Sequence, residues 1–447
     1  MDCKKKALPL QSQTIKRSVR ITVSTQDSQS CNRGSIPLPS TKETQNMRLF
    51  FLYICIMSKI VIASDSFKGS LSSLEVAHAA AAGIRRVIPG SEIICIETAD
   101  GGEGTVAALT RILKGSSITA TVSDPLGRKI NAEYGIAEVE GKKTAIMEMS
   151  QASGLPLLNP SERNPLLTST YGTGEMILDA IDRGCRRFMI GIGGSATNDG
   201  GTGMLEALGF RFTDSDGHRI TGLCGRNISR IADIDGSMVP HEVHESEFII
   251  ACDVETPFWG PDGASVVFGL QKGATPDTVA ILEEGMQSLG RIIIRDLDID
   301  LSSVKGSGAA GGLGGAFHAF LNARLHSGID MVLDSIRFDE AIKDADLIIT
   351  GEGKIDSQTS RGKVISGIAA RAYKLEIPVI AIAGIVDMDE YSCQTAGLLA
   401  VFATGPRPQN ESDLEYAMRP EVASHNISET VAKALISLSP SLFRANP

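Results

Sequence analysis

From residue 57 onward the chain alternates short apolar runs with amphipathic stretches, and the runs end at glycine-rich or charged loops. KIVIAS at 59–64 and EIICIET at 92–98 are rich in β-branched residues and read as buried strands. Between them Ser72 and Glu75 have the spacing of a capping box, opening an Ala-rich helix that Pro89 and Gly90 stop. A second helix is expected at 105–113, so strand, loop and helix recur as in a parallel sheet. Near residue 119 the rhythm shortens. Runs at 118–123, 132–139 and 144–149, separated by turns, predict a mixed or antiparallel portion. A helix at 174–183, strands at 188–192 and 247–252, and a long helix opened by Thr275 and Pro276 follow. The parallel rhythm returns with a helix at 335–345 and strands at 347–350, 378–383 and 398–404. The pattern predicts an α/β protein of two α/β domains. One is a parallel, flavodoxin- or Rossmann-like domain built from both chain ends (57–118 and 335–447), and a mixed α/β domain (119–334) is inserted into it.

Residues 1–46 are rich in Ser, Thr, Gln and Lys without periodicity and are expected to be disordered. The apolar run at 47–57 is too short to span a bilayer and has no small-x-small cleavage site. Met57 is therefore read as the working start, with 1–56 an upstream extension outside the fold and a membrane anchor the alternative.

The 447 residues suffice for two or three domains, and 42% apolar with 21% charged residues is ordinary for a globular protein. The net charge of −10 is uneven: 1–56 hold nine Lys/Arg against three Asp/Glu, leaving 34 against 50 in the remainder, or −16. So acidic a body argues against nucleic acid as a partner. Eight cysteines without a CxxC pair suit a reducing cytoplasm better than a disulfide framework or a zinc site.

The 46 glycines cluster in loops that carry the candidate chemistry. The central stretch is TGEGKIDSQTSRGK at 350–363, read as a tight loop after the strand 347–350. Glu352 and Asp356 there can hold a metal, while Lys354 and Arg361 can hold phosphate or a substrate anion. At 65–70, Ser66 and Lys68 join a hydroxyl to a cation beside a helix N-terminus, and Lys68 can hold a carboxylate or a phosphate. Asp100 and Glu103 in ADGGEGT can share a metal or bind hydroxyls, or simply cap a helix. The densest run, GIGGSATNDGGTG at 191–203, offers Gly193, Gly194, Ser195 and Asn198 as an anion nest. Asp199 is its one carboxylate and the candidate base for a hydroxyl, which with Lys68 makes the expected catalytic pair. Gly306, Gly308 and Gly311 spell a dinucleotide fingerprint with Asp330 about 20 residues on, but no strong strand precedes it. Gly308 and Gly311 thus remain candidates for nucleotide contact. No Walker-type GxxxxGK[ST] and no HExxH occur.

Together these strings resemble the type I glycerate kinase family over 57–447. The resemblance rests on MSKIVIASDSFKGSL, TADGGEGT, DPLGR, ERNPLLTSTYGTGE, GIGGSATNDGG, QKGAT, GSGAAGGLG and TGEGKIDSQT, in the family's order. The segment 252–260 departs from it, with Glu-Thr and Phe-Trp where Asn-Pro-Leu-like residues are usual, and Leu270 stands where a proline is usual. The resemblance implies ATP-dependent phosphorylation of glycerate to 2-phosphoglycerate, Mg²⁺, a cytoplasmic location without membrane or nucleic acid, and a site in the cleft between the domains. Two other readings are a dinucleotide-dependent oxidoreductase and a non-catalytic small-anion-binding protein.

Overall fold

The computed structural model describes residues 59–99, 105–355, 364–387 and 397–438. The readings of 1–56 fall outside them. The chain forms two compact units: one from the two ends, up to Thr98 and from Asp339 on, the other from Ala99–Phe338.

The first unit holds a five-stranded sheet in the order Ala400–Ala403, Val379–Val386, Leu347–Ile355, Lys59–Ser64, Glu92–Glu97. Every neighbouring pair is parallel. Counted within this unit the order is 2-1-3-4-5, the flavodoxin-like arrangement. KIVIAS is buried at five of its six positions, as a strand covered on both faces must be. The helix Ser73–Val87 begins as its sequence predicts. The Glu75 amide donates to Ser72 Oγ (3.3 Å), and the Ser72 amide donates to Glu75 Oε2 (2.8 Å). Its small residues serve a close crossing with the helix Pro420–Leu438, where a Cβ on Gly83 would lie 2.4 Å from the Ser428 carbonyl oxygen. Ile60, Ile62, Ile84, Ile349, Ile382 and Val431 share the resulting core.

The second unit has a six-stranded mixed sheet, Arg324–His326, Glu247–Ala251, Arg187–Gly191, Lys142–Glu148, Lys129–Val139, Ser116–Ser123. Its first four strands are parallel and its last two antiparallel. Phe188 and Phe248, stacked 4.9 Å apart on adjacent parallel strands, help fill its core. A small antiparallel sheet of 211–213, 219–220 and 233–235 was not legible in the pattern, because strands of two or three residues carry no period.

Two expectations need correction. The junctions expected at 118/119 and 334/335 fall at 98/99 and 338/339. Leu109, on the helix Thr105–Ile112, is fully buried among Ala137, Ile146, Met189 and Ala251 of the second unit. The strand expected to stop at Thr350 runs on to Ile355. Val379–Val386 is long enough to pair with the extra residues, Glu352 opposite Ala383 and Lys354 opposite Ile385. Glycine here marks close backbone approach instead of a turn: a Cβ on Gly351 would meet the Ile382 carbonyl oxygen at 2.5 Å.

Candidate active site

In an open parallel sheet a ligand crevice forms beyond the carboxyl ends of the strands where the chain order reverses. In the first unit that point lies between Lys59–Ser64 and Leu347–Ile355. The strand ends are tied together there. The Asp65 amide and Ser64 Oγ both donate to the Gly351 carbonyl (2.9 Å each). Ser73 Oγ and Thr98 Oγ1 both donate to the Ser64 carbonyl (2.7 Å each). Buried Phe67 and Leu71 exchange backbone hydrogen bonds and pinch Lys68, Gly69 and Ser70 into a tip. Gly69 has φ +78°, a left-handed conformation that favours glycine. Lys68 stands exposed on this tip, and Asp65 lies buried behind it, its Oδ1 accepting from the Ser66 amide at 2.7 Å.

Glu352 lies on the adjoining strand, 7% exposed. A Cβ on its neighbour Gly353 would rest 3.7 Å from the Lys68 amide nitrogen, an ordinary contact, so packing does not by itself demand glycine there. The structure therefore brings Ser66, Lys68 and Glu352 to one end of two adjacent strands. Lys354 faces Asp387, with Nζ 3.6 Å from Oδ2, and Arg407 reaches the other oxygen at 2.9 Å. Asp387 and Arg407 were not singled out from the sequence, although Asp387 follows an apolar strand as Asp65 does. Asp100, Glu103, Asp356 and Arg361 lie outside the described residues.

The second unit presents a different loop after its strand Arg187–Gly191. Gly193 and Gly194 are exposed, and among the described residues their amides have no acceptor. A Cβ on Gly193 would meet nothing within 4 Å. From Ser195 onward the loop turns inward. Thr197 and Asn198 are fully buried, and among the described residues Thr197 Oγ1 and Asn198 Oδ1 have no partner. Asn198 Nδ2 donates to Ser265 Oγ at 3.1 Å.

Asp199, the candidate base, lies inside the protein. It is fully buried, and its Oδ2 accepts from the Thr170 amide and hydroxyl (2.8 Å each) and the Gly203 amide (3.2 Å). Its Oδ1 accepts from the Gly201 amide at 3.1 Å. Burial pushes its carboxyl above the usual carboxylate range against the pull of these donors. Asp199 thus ties the 193–203 loop to Thr170. Beneath the same loop lies Lys272, 2% exposed, with Nζ 2.7 Å from both Ser195 Oγ and the Thr197 carbonyl. Desolvation pulls it down to about 7, while Asp199 opposes that shift. In the sequence Lys272 belongs to QKGAT and matches the family there, but a lone lysine beside Gly273 gives no sign of burial.

The 306–311 fingerprint serves packing. Residues 306–317 are buried, and a Cβ on Gly308 or Gly311 would lie 2.0 Å from the Pro257 oxygen or 2.1 Å from the Thr197 oxygen. No described strand leads into it, and Asp330 accepts from Ser327 Oγ (2.7 Å) at the start of the helix Gly328–Ser335. The features required of a dinucleotide site are not assembled. One cluster of possible metal ligands, Asp214, Asp216 and His218, sits on a hairpin tip where Asp214 Oδ1 already accepts two backbone amides.

Comparison with known proteins agrees with a kinase and not an oxidoreductase. A glycerate kinase of Halalkalibacterium halodurans is 44% identical over 371 residues, covering 81% of this chain and 97% of that protein. The glycerate 2-kinase of Escherichia coli K12 is 45% identical over 345 residues, covering 77% and 90%. The crystal structure of a protein assigned as glycerate kinase 2 from Salmonella typhimurium LT2 superposes with a TM-score of 0.73 at 42% identity, covering 86% of this chain and 99% of that one. Residues 60–438 match the family model described as the glycerate kinase family, and the chain belongs to that family.

Proposed function

We propose that the protein is an ATP-dependent kinase that phosphorylates the hydroxyl of glycerate, giving 2-phosphoglycerate. The observation that carries this reading is the match of 60–438 to the glycerate kinase family, with 45% identity to a protein named glycerate 2-kinase. In the reaction the substrate hydroxyl oxygen forms a bond to the γ-phosphorus, the bond from that phosphorus to the bridging oxygen of ADP breaks, and the hydroxyl proton is released to solvent. Little covalent work falls to the protein in such a transfer; positioning and charge do most of it.

Lys68, on its exposed tip beside Ser66, is suited to hold the glycerate carboxylate or a phosphate oxygen. Asp100 and Arg361 belong to the same substrate assignment from sequence. The acceptor-less amides of Gly193 and Gly194 suit phosphate oxygens. Lys354 joins the nucleotide side of the reading, held at present against Asp387.

Mg²⁺ would be held through Glu352 and Asp356. A buried carboxylate at the carboxyl end of a sheet fits an ion that takes one or two carboxylates and completes its shell with water and phosphate oxygens. When bound, the ion supplies charge neutralisation to the phosphates. A cytoplasmic location belongs to the same reading, and Cys95, Cys185, Cys224 and Cys252 are free thiols, as a reducing compartment keeps them. Among the described residues no helix is long and apolar enough to cross a membrane.

A coupled ADP-release assay over a panel of hydroxy acids tests the activity, with the phosphorylated position read by ³¹P NMR. Glycerate is expected to be the best acceptor and 2-phosphoglycerate the product. Saturable glycerate binding without ADP release would leave only an anion-binding protein. Lys68→Ala is expected to cost roughly ten- to hundred-fold in kcat/KM. Glu352→Gln is expected to lower turnover at least about a hundredfold, partly restored by raised Mg²⁺. Normal turnover of that variant at low Mg²⁺ would remove Glu352 from the metal site.

A further inference from the structure

A lysine with no exposed face needs an account. Burying an ammonium in a protein interior costs several kcal/mol unless a partner offsets it, and no carboxylate bonds to Lys272. Its two acceptors are neutral, Ser195 Oγ and the Thr197 carbonyl. The carboxylate whose field reaches it, Asp199, already accepts from Thr170, Gly201 and Gly203. The adjoining segment meets Gly273 through the Arg163 backbone, which brings no carboxylate. The cluster is short of negative charge.

Ser195 shows where that charge would come from. Its oxygen accepts from Lys272, and among the described residues its own O–H has no acceptor. It is 5% exposed and directly follows the exposed Gly193 and Gly194, whose amides have no acceptor among the described residues. A polarised hydroxyl, two unpaired amides and a buried cation thus meet within one short loop and the lysine beneath it. This is the donor set of a phosphoryl oxygen site.

We infer that Lys272 is the buried counter-cation of a phosphoryl group bound at 193–195, acting on it through the Ser195 hydroxyl. The inference rests on the assignment of this loop to nucleotide phosphates. Lys272 does not touch the ligand; it is a positioning residue that orients Ser195 and supplies charge from below. A dianionic ligand favours the ammonium form, so binding draws a proton onto Lys272 wherever the free protein holds it neutral.

The test is calorimetric titration of the full-length protein with MgADP at pH 8, in two buffers of different ionisation enthalpy. MgADP is chosen because its phosphates are ionised above pH 7. The wild type is expected to take up close to one proton per nucleotide bound, and Lys272→Met to take up none while binding about ten- to hundred-fold more weakly. Ser195→Ala should bind more weakly yet still take up the proton. Uptake by Lys272→Met equal to that of the wild type overturns the inference. If Lys272→Met does not fold, the wild type titrated from pH 6 to 9 decides. Uptake that is small at pH 6 and peaks near pH 8 supports the lysine, and a flat profile overturns it. Gly193→Val separates this outcome from failure of the loop assignment. Unchanged MgADP affinity in that variant removes the phosphate site from this loop, whereas weakened affinity beside absent proton uptake in the wild type leaves the loop and removes only Lys272.

Discussion

Two glycine-rich loops of the second unit look alike in sequence and differ in space. In 193–203 a side chain on Gly193 would enter open space, and the amides of Gly193 and Gly194 are unpaired among the described residues. In 306–315 the glycines are buried, and backbone oxygens of 257 and 197 stand where a Cβ on Gly308 or Gly311 would go. The second loop uses its glycines to fit under the first, since the Gly200 amide donates to the Gly311 carbonyl at 2.9 Å. At Gly308 and Gly311 the missing side chain makes room for the protein's own backbone, and at Gly193 no protein atom takes that space. Only the structure separates a glycine crowded by the protein from one that faces open space.

The sharpest way to break this comparison is Gly311→Ala. Its φ of +67° and the 2.1 Å approach to the Thr197 oxygen should together cost more than about 3 kcal/mol. A melting temperature lowered by roughly 6–12 °C is expected, and an unchanged melt would mean that the loop is not packed as described. Next in size is Asp199→Asn. An amide group facing the Thr170 and Gly203 N–H donors should cost about 2 kcal/mol, with kcat per folded molecule retained. Loss of kcat without loss of stability would return Asp199 to the role of base.

Lys272 gives a smaller, pH-dependent effect. Its value in the folded protein, about 7, lies below the ordinary lysine value, so between the two the unfolded chain holds more protons and stability rises with pH. Chemical denaturation should show the wild type gaining on Lys272→Met from pH 7 to 9, by at most about 1.4 kcal/mol per pH unit. A parallel dependence would show that the lysine is not desolvated. The least effect on stability belongs to Gly193→Ala. It should leave the melt unchanged and raise the KM for ATP about tenfold; a melt that falls as far as that of Gly311→Ala would erase the distinction between the loops.

Local signals read well from the sequence and long-range ones did not. The Ser72–Glu75 capping box and the Thr275 cap with Pro276 are decided by residues three apart, and both stand as expected. The flavodoxin-like strand order was one of two options, because the pairing of 59–64 with 347–355 joins residues 287 apart and leaves no local trace. Gly351 and Gly353 read as a turn because their strand partner, 379–386, is contributed from a distance. Ser66, Lys68 and Glu352 were legible as strand-end residues. The surroundings of Asp199 were not legible for a physical reason: an acid among glycines can face a ligand or backbone amides, and its donor Thr170 lies 29 residues away. Lys272 was missed because burial of a lone cation follows from packing alone.

The order of synthesis gives the split first unit a further consequence. Its two leading strands, 59–64 and 92–97, leave the ribosome before the 240 residues of Ala99–Phe338, and 347–355, the neighbour of 59–64 on its other side, comes only after them. At roughly 5–20 residues per second, the wait is about 12–50 s. Throughout it Ile60 and Ile62 lack the core partners Ile349 and Ile382, and the edge of 59–64 that will meet 347–355 has no strand to pair with. An unpaired apolar edge of this kind is open to pairing with other chains until 347–355 arrives. A ribosome-stalled chain ending near residue 338 should hold a protease-resistant second unit and a protease-sensitive 59–98.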